Sequence, residues 1–235
     1  MENENQNNNA QEIKREAQET VNQVKDSFKN VDVKEETEKA KNFFTGIFKT
    51  PAKMMKTIAN DSSNTFFKTA LVLVIVWVLL SGFNEVIGFV RKIVKLGFSY
   101  IKFADFASII TGTLTPLIIV FALTGITYFL HSKSNKKSFL MVLNTIVASL
   151  LPFVIIKLIN IITNFVSIIT TGFARITTPF ITILQLVSVV LMYFGIKGLA
   201  GENDDNATKK FVIIQAIYCV VAFVLGFLTF GLYLV

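Results

Sequence analysis

The chain has 235 residues, 52% hydrophobic and only 17% charged, with a formal net charge of +7. So little charge cannot cover a soluble domain this apolar, and lipid is the expected solvent. The basic surplus flanks apolar runs instead of forming a patch on a soluble face, which argues for headgroup contact and against nucleic-acid binding.

Residues 1–38 are polar. The opening stretch MENENQNNNAQE is low in complexity and predicts disorder. Ile13, Ala17, Val21, Val24 and Phe28 then recur at helical spacing, so an amphipathic helix is expected over 13–30 of an otherwise largely disordered cytosolic tail. No apolar h-region occurs in the first 40 residues, so no cleavable signal peptide is expected.

The charge changes sign over residues 39–65. Lys41, Lys49, Lys53 and Lys56 alternate with Phe43, Phe44, Ile47, Phe48, Met54, Met55 and Ile58. Thr50 followed by Pro51 reads as an N-cap and first helical position, which gives one short helix on either side. Basic residues interleaved with Phe and Met suit an interfacial helix, with Phe and Met at the acyl boundary and lysines among anionic headgroups. Lys41, Lys49, Lys53 and Lys56 are therefore the candidate anionic-lipid contacts.

Residues 66–235 hold the transmembrane domain. Apolar runs near the length needed to cross hydrocarbon, about 20 residues, lie at 66–83, 106–130, 138–156, 176–196 and 211–235. Between the first two, Arg91, Lys95, Ser99 and Lys102 fall on one helical face opposite Ile87, Val90, Val94 and Ile101. That pattern predicts an amphipathic helix lying on the membrane over 84–105. Residues 158–174 are apolar but bounded closely by Lys157 and Arg175, and are expected to continue the third helix or form an interfacial connector. Five spans place the larger share of basic residues on the side of the N-terminus, whereas six would erase the bias. The expected topology has the N-terminus cytoplasmic and the C-terminus outside, in the plasma membrane.

Chemistry-bearing motifs are missing. Cys219 and His131 each stand alone, and no HExxH, CxxC, GxSxG or phosphate-binding glycine loop is present, so neither an enzyme nor a cofactor or metal site is expected. The five apolar runs hold no ionisable residue at their centres, which argues against ion-coupled transport. Thr115, Asn144 and Gln185 are the candidate intramembrane polar contacts, either as interhelical hydrogen bonds or as the lining of a solute path. Ser108/Gly112 and Ala222/Gly226 are spaced to let helices approach closely, and Pro116 and Pro152 are expected to kink their helices.

The layout resembles a known family. A polar tail, a basic Phe-rich segment with a proline (FFTGIFKTPAKMM), five closely spaced spans and the Gly-punctuated segment LMYFGIKGLAGENDDNATKKFVI are similar to the Ypt-interacting (YIP) membrane proteins, in their bacterial branch. The DLYGP-type motif of the eukaryotic members is absent, so GTPase binding is not implied. The expected fold is an all-α integral membrane bundle of about five transmembrane helices with interfacial amphipathic helices. The expected function is non-enzymatic: organising lipid or protein partners, among them anionic phospholipid headgroups, a membrane-protein partner or a second copy of the chain. The alternative is a small-solute channel or uncoupled transporter lined by hydroxyls and amides.

Overall fold

The computed structural model describes residues 33–135, 137–170, 172–201 and 205–231, together with Gln18 and Asn22, both helical and exposed. The expected helix over 13–30 and the disorder of residues 1–12 lie outside the described residues, those two positions excepted. The chain divides into two compact units, Met1–Asn42 and Phe43–Val235. Every element is helical, with no strand among the described residues.

The elements are α1 (Val33–Lys49), α2 (Pro51–Ala59), α3 (Phe67–Leu96), α4 (Phe103–Asn135), α5 (Phe139–Ser149), α6 (Leu151–Ile169), α7 (Phe173–Ala200) and α8 (Asp205–Gly231). A single 3₁₀ turn, Phe98–Tyr100, links α3 to α4. Five helical stretches are long and apolar enough to cross a membrane: Phe67–Leu96, Phe103–His131, Phe139–Ile169, Phe173–Ala200 and Asp205–Leu225. The protein is an all-helical, multi-pass membrane protein.

Two boundaries differ from the sequence expectation. Residues 84–96 do not form a separate interfacial helix; they continue the first span to Leu96, where Gly97 at φ 88° ends it. Residues 158–169 likewise continue the third span to Ile169, so of the two expected readings the helix continuation holds. Each of these spans is therefore about 45 Å long at 1.5 Å per residue, against roughly 30 Å of hydrocarbon. In both cases polar side chains meet other helices: Asn84 and Arg91 bond to Asn164, and Lys92 bonds to Asp105.

Local chemistry explains the element ends. Pro51 opens α2, but Thr50 does not cap it through its side chain; the hydroxyl donates back to the Gly46 carbonyl at 3.4 Å. Ser138 does cap α5, accepting from the Met141 amide at 3.3 Å. Asp61 organises the α2–α3 loop by accepting from the Ser63 hydroxyl at 2.6 Å and the Phe66 amide at 3.3 Å. Pro152 sits in the first turn of α6, and Leu150 carries the break between α5 and α6. Pro116 lies inside α4 without ending it.

The third span is the hub. Within its apolar stretch 78% of residues are buried, against 33% for the first span and 6% for the last. It packs against α2, α3, α4 and α7, whereas α8 packs mainly on α4 and α7. Val142, Ile146, Leu150 and Leu151 of the hub form the core with Trp77, Leu123, Leu191 and Ile196. Trp77 and Phe153 stack at a centroid distance of 5.8 Å.

Candidate functional site

The basic segment packs on the bundle with one face and presents its lysines on the other. Phe43, Ile47, Met55, Ile58 and Ala59 are all at most 1% exposed, so these apolar groups enter the protein core. This corrects the expectation that Phe43 and Met55 insert at the acyl boundary. Two glycines of α7 make the docking possible. A Cβ on Gly198 would stand 2.9 Å from the Ala59 Cβ and 3.2 Å from the Lys56 Cα, and one on Gly195 would stand 2.9 Å from the Met55 Cε. A side chain at 198 would push α2 away, and one at 195 would displace the Met55 methyl. Gly46 plays the same part between α1 and α2, where a Cβ would meet the Met54 sulfur at 2.7 Å.

With that face committed, Lys49, Lys53 and Lys56 are exposed, beside Phe44 at 38% and Phe48 at 51% exposure. Lys41, in the first unit, is exposed too. A cavity of about 430 Å³ opens between α2 and α7, bordered by Ala52, Lys56, Asn60, Phe194, Lys197 and Gly198. At the end of α2, the Lys137 ammonium donates to the Asn60 side-chain oxygen at 2.7 Å and to the Ala59 carbonyl at 3.3 Å. A cation there satisfies a terminal carbonyl and complements the helix dipole. Partial burial holds the Lys137 pKa below its usual value.

Thr115, Asn144 and Gln185 do not come together. The Thr115 hydroxyl donates to the Thr111 carbonyl of its own helix at 2.8 Å, as Thr111 and Thr113 do to Ala107 and Ile109. These hydroxyls are spent within α4 instead of lining a path. Gln185 is exposed on α7. Asn144 is fully buried in the hub, and its amide makes no hydrogen bond among the described residues. A small cavity of about 20 Å³ bordered by Leu150, Phe153, Ser188 and Met192 touches none of the three.

A second polar site was missed by sequence reasoning. Because α3 and α6 extend past Phe83 and Ile156, Glu85 and Lys157, which lie beyond the apolar runs read from the sequence, fall within the extended span helices. Each is about 27 Å from the start of its span at 1.5 Å per residue. The Glu85 side chain fits against α4 only because position 112 is glycine, where a Cβ would stand 2.6 Å from the Glu85 Cγ. Above Glu85, Asn84 donates to it at 3.4 Å, Asn164 of α6 donates to Asn84 at 2.9 Å, and Arg91 donates to Asn164 at 2.8 Å. One level higher, Lys92 of α3 holds both oxygens of Asp105 at the start of α4, at 2.7 and 2.6 Å. The Asp105 carboxylate also accepts from the Lys102 amide at 2.8 Å. Between these groups is a cleft of about 540 Å³, bordered by Glu85, Gly88, Phe89, Arg91, Lys95 and Ser108 among others.

The signal that could have found this cleft was the alignment of Glu85, Arg91, Lys92 and Lys95 with Asp105 across a turn. It reads equally well as an interfacial helix until the partners on α4 and α6 are known. Among the described residues no three His, Cys, Asp or Glu side chains gather as metal ligands. Comparison with family models, curated proteins and solved structures finds no match to the chain.

Proposed function

We propose that this is a non-enzymatic protein of the plasma membrane, N-terminus cytoplasmic and C-terminus outside, that gathers anionic lipid headgroups on a basic shelf formed by α1 and α2. The observation that carries this reading is the division of labour on the shelf. Its apolar face, Phe43, Ile47, Met55 and Ile58, is clamped in the core, while Lys49, Lys53 and Lys56 face outward beside Phe44 and Phe48. A tethered shelf holds its charges at the headgroup level without the ordering cost of a free amphipathic segment, and each lysine there adds roughly 1 kcal/mol of attraction to an anionic leaflet. The cavity beside α2 combines an apolar wall, Ala52 and Phe194, with Lys56 and Lys197, which suits an acyl chain ending in a phosphate. Membership of the bacterial branch of the YIP family is part of the same proposal, supported by the five spans and the Phe-rich basic segment.

The test is lipid selectivity of the whole protein. Reconstituted into nanodiscs of mixed neutral and anionic phospholipid, it should retain anionic lipid preferentially through gentle detergent extraction. Replacing Lys41, Lys49, Lys53 and Lys56 with glutamine should remove most of that preference, and salt should weaken it in the parent protein. An unchanged preference in the quadruple variant would overturn the proposal.

A further inference from the structure

The cleft between α3 and α4 has the attributes of a ligand site that the basic shelf does not explain. Its volume, about 540 Å³, is within the range of small-molecule pockets. Its charges are not balanced. Asp105 is held by Lys92, and the Glu85 carboxylate accepts from the neutral Asn84 at 3.4 Å. Arg91 and Lys95 are left over: Arg91 bonds to the neutral Asn164, and Lys95 pairs with no carboxylate among the described residues. Three cations, Arg91, Lys92 and Lys95, therefore border the cleft against two carboxylates, Glu85 and Asp105, and neither Arg91 nor Lys95 is bound to one.

Arg91 is also pre-arranged. Its bond to Asn164 uses one of five guanidinium N–H donors, and Asn164 is in turn oriented by Asn84, so the guanidinium is positioned while most of its donors remain. A planar fork held in this way matches a phosphate or carboxylate better than a mobile lysine does, and phosphate-type oxygens suit the fork together with a second cation. Depth agrees. If hydrocarbon covers about 20 residues from Phe67, then Arg91 and Lys95 stand in the headgroup layer at the far end of the span. Gly88 keeps the floor open, since a Cβ there would meet nothing within 4 Å.

We propose that this cleft binds a phosphate-type anion through Arg91 and Lys95, supplied either by a phospholipid headgroup of that leaflet or by a free phosphate. The site is separate from the α1–α2 shelf, at the opposite end of α3.

The experiment uses the full chain with Lys41, Lys49, Lys53 and Lys56 changed to glutamine, so that the shelf contributes nothing. One arm titrates inorganic phosphate against the protein in neutral phosphatidylcholine nanodiscs by calorimetry. The other counts phosphatidylglycerol retained by the protein in native mass spectrometry. Arg91→Gln with Lys95→Gln should weaken whichever ligand binds by at least about tenfold, the scale of losing one hydrogen bond to a charged group. Gly88→Leu should do the same by filling the floor, with no charge altered and the melting temperature preserved. Loss of lipid retention in both variants assigns a headgroup; loss of phosphate binding assigns the free anion. If the parent binds neither, or if both variants bind as the parent does, the proposal is overturned.

Discussion

The ammonium of Lys92 lies 2.6 Å from a carboxylate oxygen of Asp105, joining the end of α3 to the start of α4 across the Gly97–Lys102 turn. Lys92 is 27% exposed and Asp105 only 7%, so the pair is more sheltered than a surface bridge. Asp105→Ala would remove the bridge to Lys92 and release the Lys102 amide together. It should cost about 1–3 kcal/mol, below the range for a fully buried pair because solvent still reaches the lysine. Asp105→Asn, which keeps an acceptor for the amide, should cost less. Thermal melting in detergent distinguishes the two, and equal, negligible losses would show that the turn does not depend on this bond.

The docking of α2 rests on the absence of a side chain at Gly198. Gly198→Val should displace α2 without unfolding the bundle, because the obstructing neighbour is the Lys56 backbone at 3.2 Å. A cysteine introduced at the buried Met55, in a Cys219→Ser background, should then change from protected to reactive toward a water-soluble maleimide. Continued protection would mean that α2 rotates to accommodate the valine.

Lys137 supplies the pH dependence. Burial lowers its folded pKa below the usual 10.5 while the unfolded chain keeps that value, so between the two values the unfolded state holds more protons. Stability attributable to Lys137 therefore rises with pH across that window, and the desolvation penalty applies in full below it. Lys137→Met should flatten this part of the stability profile, measured by melting between neutral and strongly alkaline pH. A slope identical to that of the parent would assign the effect to other lysines.

Topology can be mapped directly. In a Cys219-free background, a cysteine placed within 133–137 should react only from the cytoplasmic side, and a reporter fused after Val235 should lie outside. A cytoplasmic reporter at the C-terminus would contradict the proposed orientation and the odd number of crossings.

The fold class was legible because five apolar runs of sufficient length stand out from charged connectors, and nothing in a bilayer competes with a helix for such runs. The ends of the first and third spans were not. The stretch Asn84–Leu96 carries charges at helical spacing, and whether that face meets headgroups or other helices depends on partners far away in sequence. Arg91 finds Asn164, 73 residues on, and Lys92 finds Asp105 across a turn. The lysines of the basic segment, Lys41, Lys49, Lys53 and Lys56, are exposed. The burial of Phe43 and Met55 was not legible, because it depends on Gly195 and Gly198, and a glycine in a local window does not announce which helix it admits. The partner of Thr115 was not legible for a related reason: a hydroxyl bonded to its own helix has the same sequence signature as one bonded to a neighbouring helix or facing a pore.

The enclosure of the third span has a consequence for assembly. In chain order α3 and α4 precede the helix that covers their inner faces, so Asn84 and Arg91 lack Asn164 until that helix is delivered. Once 139–169 is inserted, the polar groups of three helices close on one another, and α7 seals the other side together with α2. By contrast α8, only 6% of whose apolar stretch is buried, adds little beyond Ile214 to the core. A chain ending after Gly201 is therefore expected to keep the protection of its core amides in hydrogen exchange, whereas deletion of 139–169 should leave the preceding spans without a stable partner.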